Sequence, residues 1–253
     1  MLRGYLCRVR TGWLSTLVCL LLAGAAAAQQ AGSAVTIQPT VEQIVGQMER
    51  RNAARAEELK QYKSLRHYEV VYRGFSAVIE AKMAVEANYD AASGKTFRVV
   101  STSGSKLLIN KVLMRLLETE KAASADQRST ALTPANYRFT PGGMENEAGR
   151  PSYVLEVEPL TANKLLYRGK IWVDAADFAV VRIEGEPARN PSFWIAHTSI
   201  QHRYSKTEGF WLPKSNRSET KVRVGGTAVL TIDYGTYQVA PQAPLKALAG
   251  EVQ

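Results

Sequence analysis

From Ala77 to Tyr89 every odd-numbered residue is apolar or aromatic (Ala77, Ile79, Ala81, Met83, Val85, Ala87, Tyr89), while Glu80, Lys82, Glu86 and Asn88 fill even positions. A period of two sustained this long predicts a strand with one dry face and one wet face. The dry face must be covered by other parts of the chain. Just before it, Tyr68, Val70 and Tyr72 alternate with Glu69 and Arg73. Asp90 to Gly94 follows as a turn, and Thr96 to Thr102 reads as a third strand. Three antiparallel strands in succession form a meander.

Two segments change the period. Thr40 and Gln43 have capping-box spacing, and Val41, Ile44, Val45 and Met48 make an apolar stripe. This predicts a helix from Thr40 to about Tyr62 whose charged half, after Met48, is solvated. Residues 106–123 predict a second helix, with Ile109, Val112, Leu113, Leu116 and Leu117 on one face. Ser124–Thr133 is polar, Tyr137–Thr140 is a short segment, and Pro141-Gly142-Gly143 with Gly149-Arg150-Pro151 punctuates a loop.

The β pattern then returns. Tyr153–Glu158, Gly169–Val173 and Val180–Glu184 read as strands, with Asp174–Asp177 as a hairpin connection. Thr198–Lys206 and Phe210–Lys214 are split by Glu208-Gly209, and Arg217–Val224 and Thr227–Tyr237 by a two-residue turn at Gly225-Gly226. Helix, three strands, helix and about seven strands give no alternating β-α-β units. The expected class is mainly β with α: one large antiparallel sheet with two amphipathic helices on its apolar face.

The N-terminus has the form of a secretory signal over residues 1–28. Arg3, Arg8 and Arg10 precede an apolar run from Trp13 to Gly24, and Ala25–Ala28 supplies small residues before a cut between Ala28 and Gln29. The run is short for a spanning helix. Cleavage removes both cysteines, Cys7 and Cys19, and with them disulfides, thiol nucleophiles and thiolate metal sites. Residues 29–38 are expected as a leader, 39–240 as the folded domain and 241–253 as a loose tail. Removing three arginines from the formal charge of +9 leaves +6, scattered without a basic block. That argues against nucleic acid and for anionic head groups or acidic partners. The expected location is the periplasm.

No catalytic constellation stands out. His197 and His202 are five apart, on opposite faces of a straight strand, and His67 is remote in sequence. Ser103 and Ser105 flank Gly104 in a turn, without the G-x-S-x-G elbow. Glu156 with Glu158, and Glu184 with Glu186, share strand faces, where solvated charge is the simpler explanation than a glycosidase pair. Gly225-Gly226 opens no helix, and no phosphate-binding loop occurs. No enzyme activity, cofactor or metal is expected.

The apolar surface is more informative. Ile79, Met83 and Val85 offer one wall of a slot, and Leu113 and Leu117 of the second helix offer a lid. Ala77, Ala81 and Ala87 leave room between them. Trp172, Phe193, Trp194, Phe210 and Trp211 complete the candidate lining. Such a slot suits acyl chains, at ~0.8 kcal/mol per buried methylene. An ordinary packed core is the alternative for each of these residues.

Arg168-Gly-Lys-Ile-Trp-Val-Asp174, followed by Phe178-Ala-Val-Val-Arg-Ile-Glu184, resembles the "G-x-I-W-V-D … P-x-R" hairpin of the LolA-like family, periplasmic carriers related to outer-membrane lipoprotein-sorting proteins. Phe210-Trp-Leu-Pro213 and Gly225-Gly-Thr-Ala-Val-Leu-Thr-Ile-Asp-Tyr234 resemble its closing strands. The resemblance spans about residues 40–238 and departs where Ala179-Val180 stands in place of the usual proline. It implies an incomplete antiparallel β-barrel of about 10–11 strands, covered by helices around a hydrophobic cavity. It further implies a monomeric carrier of lipoprotein or lipid acyl chains, with membrane partners that load and accept the cargo. An envelope interaction or sensor module on the same fold is the second expectation, and a hydrolase the last.

Overall fold

The structure is a computed structural model that describes residues 38–240 except 75, 126, 127, 191 and 224. The expected signal peptide with both cysteines, nearly all of the leader, and the C-terminal tail lie outside the described residues.

Helix α1, Val41–Glu58, opens with the expected capping box: the Gln43 amide donates to Thr40 Oγ1 at 3.3 Å, and the Thr40 amide to Gln43 Oε1 at 2.9 Å. Ile44, Val45 and Met48 are buried, and most of the helix beyond is exposed. Arg55 is the exception, because its guanidinium donates to the carbonyls of Asp177 and Phe178 at 3.0 and 3.3 Å.

The strands are β1 (Gln61–Arg73), β2 (Val78–Asp90), β3 (Gly94–Gly104), β4 (Tyr137–Glu147), β5 (Arg150–Pro159), β6 (Tyr167–Asp174), β7 (Val180–Pro187), β8 (Ile195–Thr207), β9 (Phe210–Val222), β10 (Thr227–Asp233) and β11 (Tyr237–Val239). They form one antiparallel sheet in the order β3-β2-β1-β10-β9-β8-β7-β6-β5-β4, with β11 also pairing β1. Among the described residues β3 and β4 each have a single strand neighbour, so the sheet is open and curved: the one large antiparallel sheet that the pattern predicts, in the incomplete-barrel form that the resemblance implies.

Four boundaries differ from expectation. Strand β1 begins at Gln61, because Tyr62, Ser64 and Arg66 continue the buried face of Tyr68 and Val70; two polar residues on that face hid the alternation. Strand β4 runs through Pro141-Gly142-Gly143, where the register shifts against β5. It is an edge strand, and a proline there removes no ladder bond the sheet needs. Strand β9 is one strand rather than two, with Pro213 opposite Tyr204 beside a bulge. The turn to β10 is also wider than its two glycines, spanning 223–226.

The second helical segment comprises α2 (Lys106–Leu108), a π-helical turn (Ile109–Leu113) and α3 (Met114–Ala125). Gly104 joins β3 to α2. Its φ is +89°, and a Cβ there would lie 2.3 Å from the Glu80 carbonyl oxygen, so glycine is required. Ser105 caps α2 by accepting the Leu108 amide.

The helices bury two separate clusters. α1 places Ile44, Val45 and Met48 against Leu155 and Val157 of β5, Ile171 and Val173 of β6 and Ile183 of β7. The α2–α3 segment places Leu108, Leu113 and Leu117 against Val70, Ala81, Met83 and Val85. Each helix therefore covers a different half of the sheet.

Candidate functional site

The floor beneath α2–α3 is built by strand pairing. Tyr68 stands opposite Met83, Val70 opposite Ala81 and Arg66 opposite Val85 across β1 and β2. The period-two pattern of β2 turns Ala81, Met83, Val85 and Ala87 to one face, where all four are buried. Leu113 closes over them with none of its surface exposed. The α2–α3 segment is irregular at its centre: the π turn holds Leu113, its most buried residue. Such a turn locally breaks the regular hydrogen-bond ladder and often marks functional positions.

One charged group lies within this apolar cluster. Arg66 is 1% exposed, and its Nη1 donates to Glu120 Oε1 of α3 at 2.8 Å. Its guanidinium lies over the rings of Tyr234 and Phe97, with centroids 4.8 and 5.5 Å away. Lys95 of β3 reaches the same carboxylate oxygen at 3.4 Å. Burial pulls the Arg66 pKa down, but the Glu120 charge and hydrogen bond outweigh it, and the guanidinium titrates above its ordinary range. The pair ties α3 to β1. Burial, and secondarily the Glu120 charge, pushes the Tyr68 hydroxyl up, and Arg66 opposes this. That buried hydroxyl has no hydrogen-bond partner among the described residues.

A cleft of about 410 Å³ is lined mainly by the polar residues Gln61, Lys63, Asn88, Asp90, Thr96 and Gln238 of the strand ends, with Tyr62, Tyr89 and Val239 of the cluster beside it. Tyr62 stacks on Tyr89 with ring centroids 5.1 Å apart.

The ten residues chosen from the sequence separate into three groups. Met83, Val85, Leu113 and Leu117 meet in the cluster under the lid, and Ile79 and Phe210 pack against it. Trp172 and Trp211 lie elsewhere, in a small cluster with Val154 and Val181. Trp172 lies under the Arg182 guanidinium at 4.3 Å and donates to Glu145 at 2.8 Å; Trp211 donates to Asp177 at 2.9 Å. Phe193 and Trp194 belong to none of the three clusters and stand 77% and 60% exposed. Arg66, Glu120 and Lys95 were not selected, because nothing in the local pattern announces an ion pair between residues 54 positions apart.

The polar candidates make structural contacts. His202 faces Asn216, whose side-chain nitrogen is 3.1 Å from Nε2; burial holds the imidazole down at about 4, opposed by Glu120. His197 lies 3.1 Å from Glu186. Glu184 is engaged by Arg182 and Gln201, while Glu156 and Glu158 are more than half exposed beside Lys170 and Arg168. Among the described residues no three of His, Cys, Asp and Glu converge as metal ligands would.

The family-like hairpin has a local explanation. Asp174 Oδ1 accepts the amides of Ala176 and Asp177 at 3.0 and 2.7 Å, and Arg150 clamps both its oxygens. Ala179, in the place of the usual proline, accepts the Asp174 amide through its carbonyl, so the turn closes without it.

No family model matches the chain, and no curated protein is similar to it at significant level. Solved structures are. A DUF1329 family protein from Desulfovibrio piger is 13% identical, covering 81% of this chain and 95% of its own, with TM-score 0.42. A putative outer membrane lipoprotein-sorting protein domain from Vibrio parahaemolyticus is 12% identical, covering 79% and 93%, with TM-score 0.37. A LolA superfamily protein from Nitrosomonas europaea is 12% identical, covering 81% and 96%, with TM-score 0.31. The strand order and helix placement described above define the architecture, and the solved structures similar to it include a LolA superfamily protein and a lipoprotein-sorting protein domain, at low identity.

Proposed function

We propose that this chain is an exported carrier that shields the acyl chains of a lipid or lipoprotein between the floor of β1–β2 and the α2–α3 lid. One observation carries the reading. A continuous apolar floor is covered by a helix that is held down by a charged pair and interrupted by a π turn at its most buried point.

The energetics are compatible with exchange. Lifting Leu108, Leu113 and Leu117 into water costs about 6 kcal/mol, at roughly 2 kcal/mol per leucine, and each methylene that replaces them returns ~0.8 kcal/mol. Chains longer than about eight methylenes offset the opening. Opening also separates Glu120 from Arg66. A buried unpaired guanidinium is costly, and the phosphate or carboxylate of a cargo head group replaces Glu120 as its partner, with the Tyr68 hydroxyl as a further donor.

No bond is made or broken in this function. The periplasm is the proposed compartment, reached through removal of residues 1–28. The test is lipid mass spectrometry of the purified chain, with titration of fluorescent fatty acids of increasing length. Copurifying lipid and binding that strengthens beyond about eight carbons support the carrier. Absence of both in delipidated protein refutes it. The full burial of Leu113 and Val85 favours the second reading, an envelope interaction module whose interior never opens. That reading predicts no lipid and the same hydrogen exchange in α2–α3 with or without fatty acid.

A further inference from the structure

The two ends of the sheet carry opposite chemistry. Antiparallel pairing brings the β1–β2, β3–α2, β5–β6, β7–β8 and β9–β10 connections to one end. Each contributes one cation and no acid: Arg73, Lys106, Lys164, Arg189 and Arg223 over residues 73–78, 104–109, 159–167, 187–195 and 222–227. All five are exposed, and among the described residues none is in an ion pair. Val78, Leu107, Leu160, Phe193 and Trp194 stand at the same end, each more than half exposed.

The opposite end has Asp90, Asp174, Asp177, Glu208 and Asp233 at its turns. Four of these have structural work: Asp90 accepts the Ala92 and Ser93 amides, Asp174 those of Ala176 and Asp177, Asp233 that of Gly235, and Asp177 accepts from Lys206 and Trp211; Arg150 also pairs with Asp174. The cations of the first end have no equivalent role, apart from Arg223.

Arg223 and its neighbours hold the aromatic pair outward. Its Nε donates to the Phe193 carbonyl at 2.7 Å, its guanidinium lies 5.3 Å from the Phe193 ring centroid, and its amide donates to the Trp194 carbonyl at 2.8 Å. The two rings meet edge to face at 5.7 Å. Asn190 donates to the Ile195 carbonyl at 3.3 Å and closes the loop. The projection is thus fixed by hydrogen bonds. A cleft of about 590 Å³ beside Phe193 is lined by Lys164, Arg189, Asn163, Asn190 and Ser192, of which the two cations, Asn163 and Ser192 offer donors to an anion.

We propose that this basic, apolar rim docks the protein on an anionic phospholipid surface. Phe193 and Trp194 enter the head-group region, where amphipathic rings settle, and the five cations meet lipid phosphates. A cationic rim with projecting apolar groups complements that surface on both counts. The inference does not depend on which cargo the slot takes, or on whether it takes one.

The test is flotation of the chain from Gln29 onward with vesicles of phosphatidylglycerol and phosphatidylcholine, against vesicles of phosphatidylcholine alone, at low and high salt. Binding is expected only to the anionic vesicles, weakened by salt. Lipids brominated in their acyl chains should quench fluorescence that Trp194→Phe removes. Phe193→Ser with Trp194→Ser should reduce binding at least tenfold. Lys164→Glu with Arg189→Glu should do the same, since each cation near such a surface contributes severalfold in affinity. Both pairs are exposed, so melting and fatty-acid titration should match the wild type, which separates failure here from failure of the carrier reading. Equal binding to both vesicle types, or binding that ignores both double variants, overturns the proposal. So does a dimer in sedimentation that Phe193→Ser with Trp194→Ser dissolves while no vesicle is bound, since that assigns the rim to a second copy.

Discussion

Replacing Glu120 by leucine isolates the buried charge of Arg66. The guanidinium is 1% exposed and Glu120 21%, so little solvent is available to take over from the lost carboxylate. Breaking one side of a buried pair costs about 3–5 kcal/mol. The lower figure, about 3 kcal/mol, applies here because Lys95, which loses the same partner, is 25% exposed and can turn its ammonium to solvent. For a domain of this size ~1 kcal/mol moves the midpoint by 2–4 °C, so thermal unfolding should shift down by roughly 6–12 °C. Hydrogen exchange should localise the loss to residues 105–125, since the pair joins α3 to β1. The double variant Arg66→Met with Glu120→Leu replaces the pair by apolar groups and should recover to within about 1 kcal/mol of the wild type. Circular dichroism melts read the first effect, and the cycle isolates the coupling. A single variant that melts within about 2 °C of the wild type, or a double variant no better than the single, would refute the latch.

Leu113→Ala removes a side chain with no exposed surface and should cost about 2–5 kcal/mol by denaturant titration. Gly104→Ala forces a Cβ against the Glu80 carbonyl at φ +89° and should destabilise by more than 1 kcal/mol, with α2 the first segment to lose exchange protection. His202 is held down at about 4, below its unfolded value near 6.5. The unfolded chain therefore binds the proton first, and stability is complete above about pH 6.5 and falls as the pH drops towards 4, by at most about 3 kcal/mol. His202→Asn should flatten that part of the stability profile while leaving a second loss at more acid pH. This later loss comes from Asp174 and Asp177, whose depressed pKa values supply stability that disappears as they protonate.

How far the sequence speaks depends on whether a property is local. The alternation of β2 is written in consecutive residues, because a strand's two faces follow from backbone geometry alone. So are the capping box of α1, the leucine spacing of the lid and the Asp174 turn. Where a polar group occupies the buried face, as Ser64 and Arg66 do in β1, the alternation is broken and the strand is shortened on paper. Pro141 stops a strand in the sequence but not in the molecule, since only the sheet order reveals that β4 lies at an edge.

The apolar cluster under α2–α3 illustrates the same division. The apolar identity of Met83, Val85, Leu113 and Leu117 was legible, and the fold brings them together. The separation of Trp172 and Trp211 from them, and the exposure of Phe193 and Trp194, follow from sheet register and loop geometry. The meeting of Arg66 with Glu120, and of five cations at one end of the sheet, joins residues far apart in the chain. Composition and period determined that this chain must build a half-covered sheet. The antiparallel order of that sheet decided which charges face one another and which are left at the rim, because electrostatic pairing depends on distance in space and the sequence records only distance along the chain.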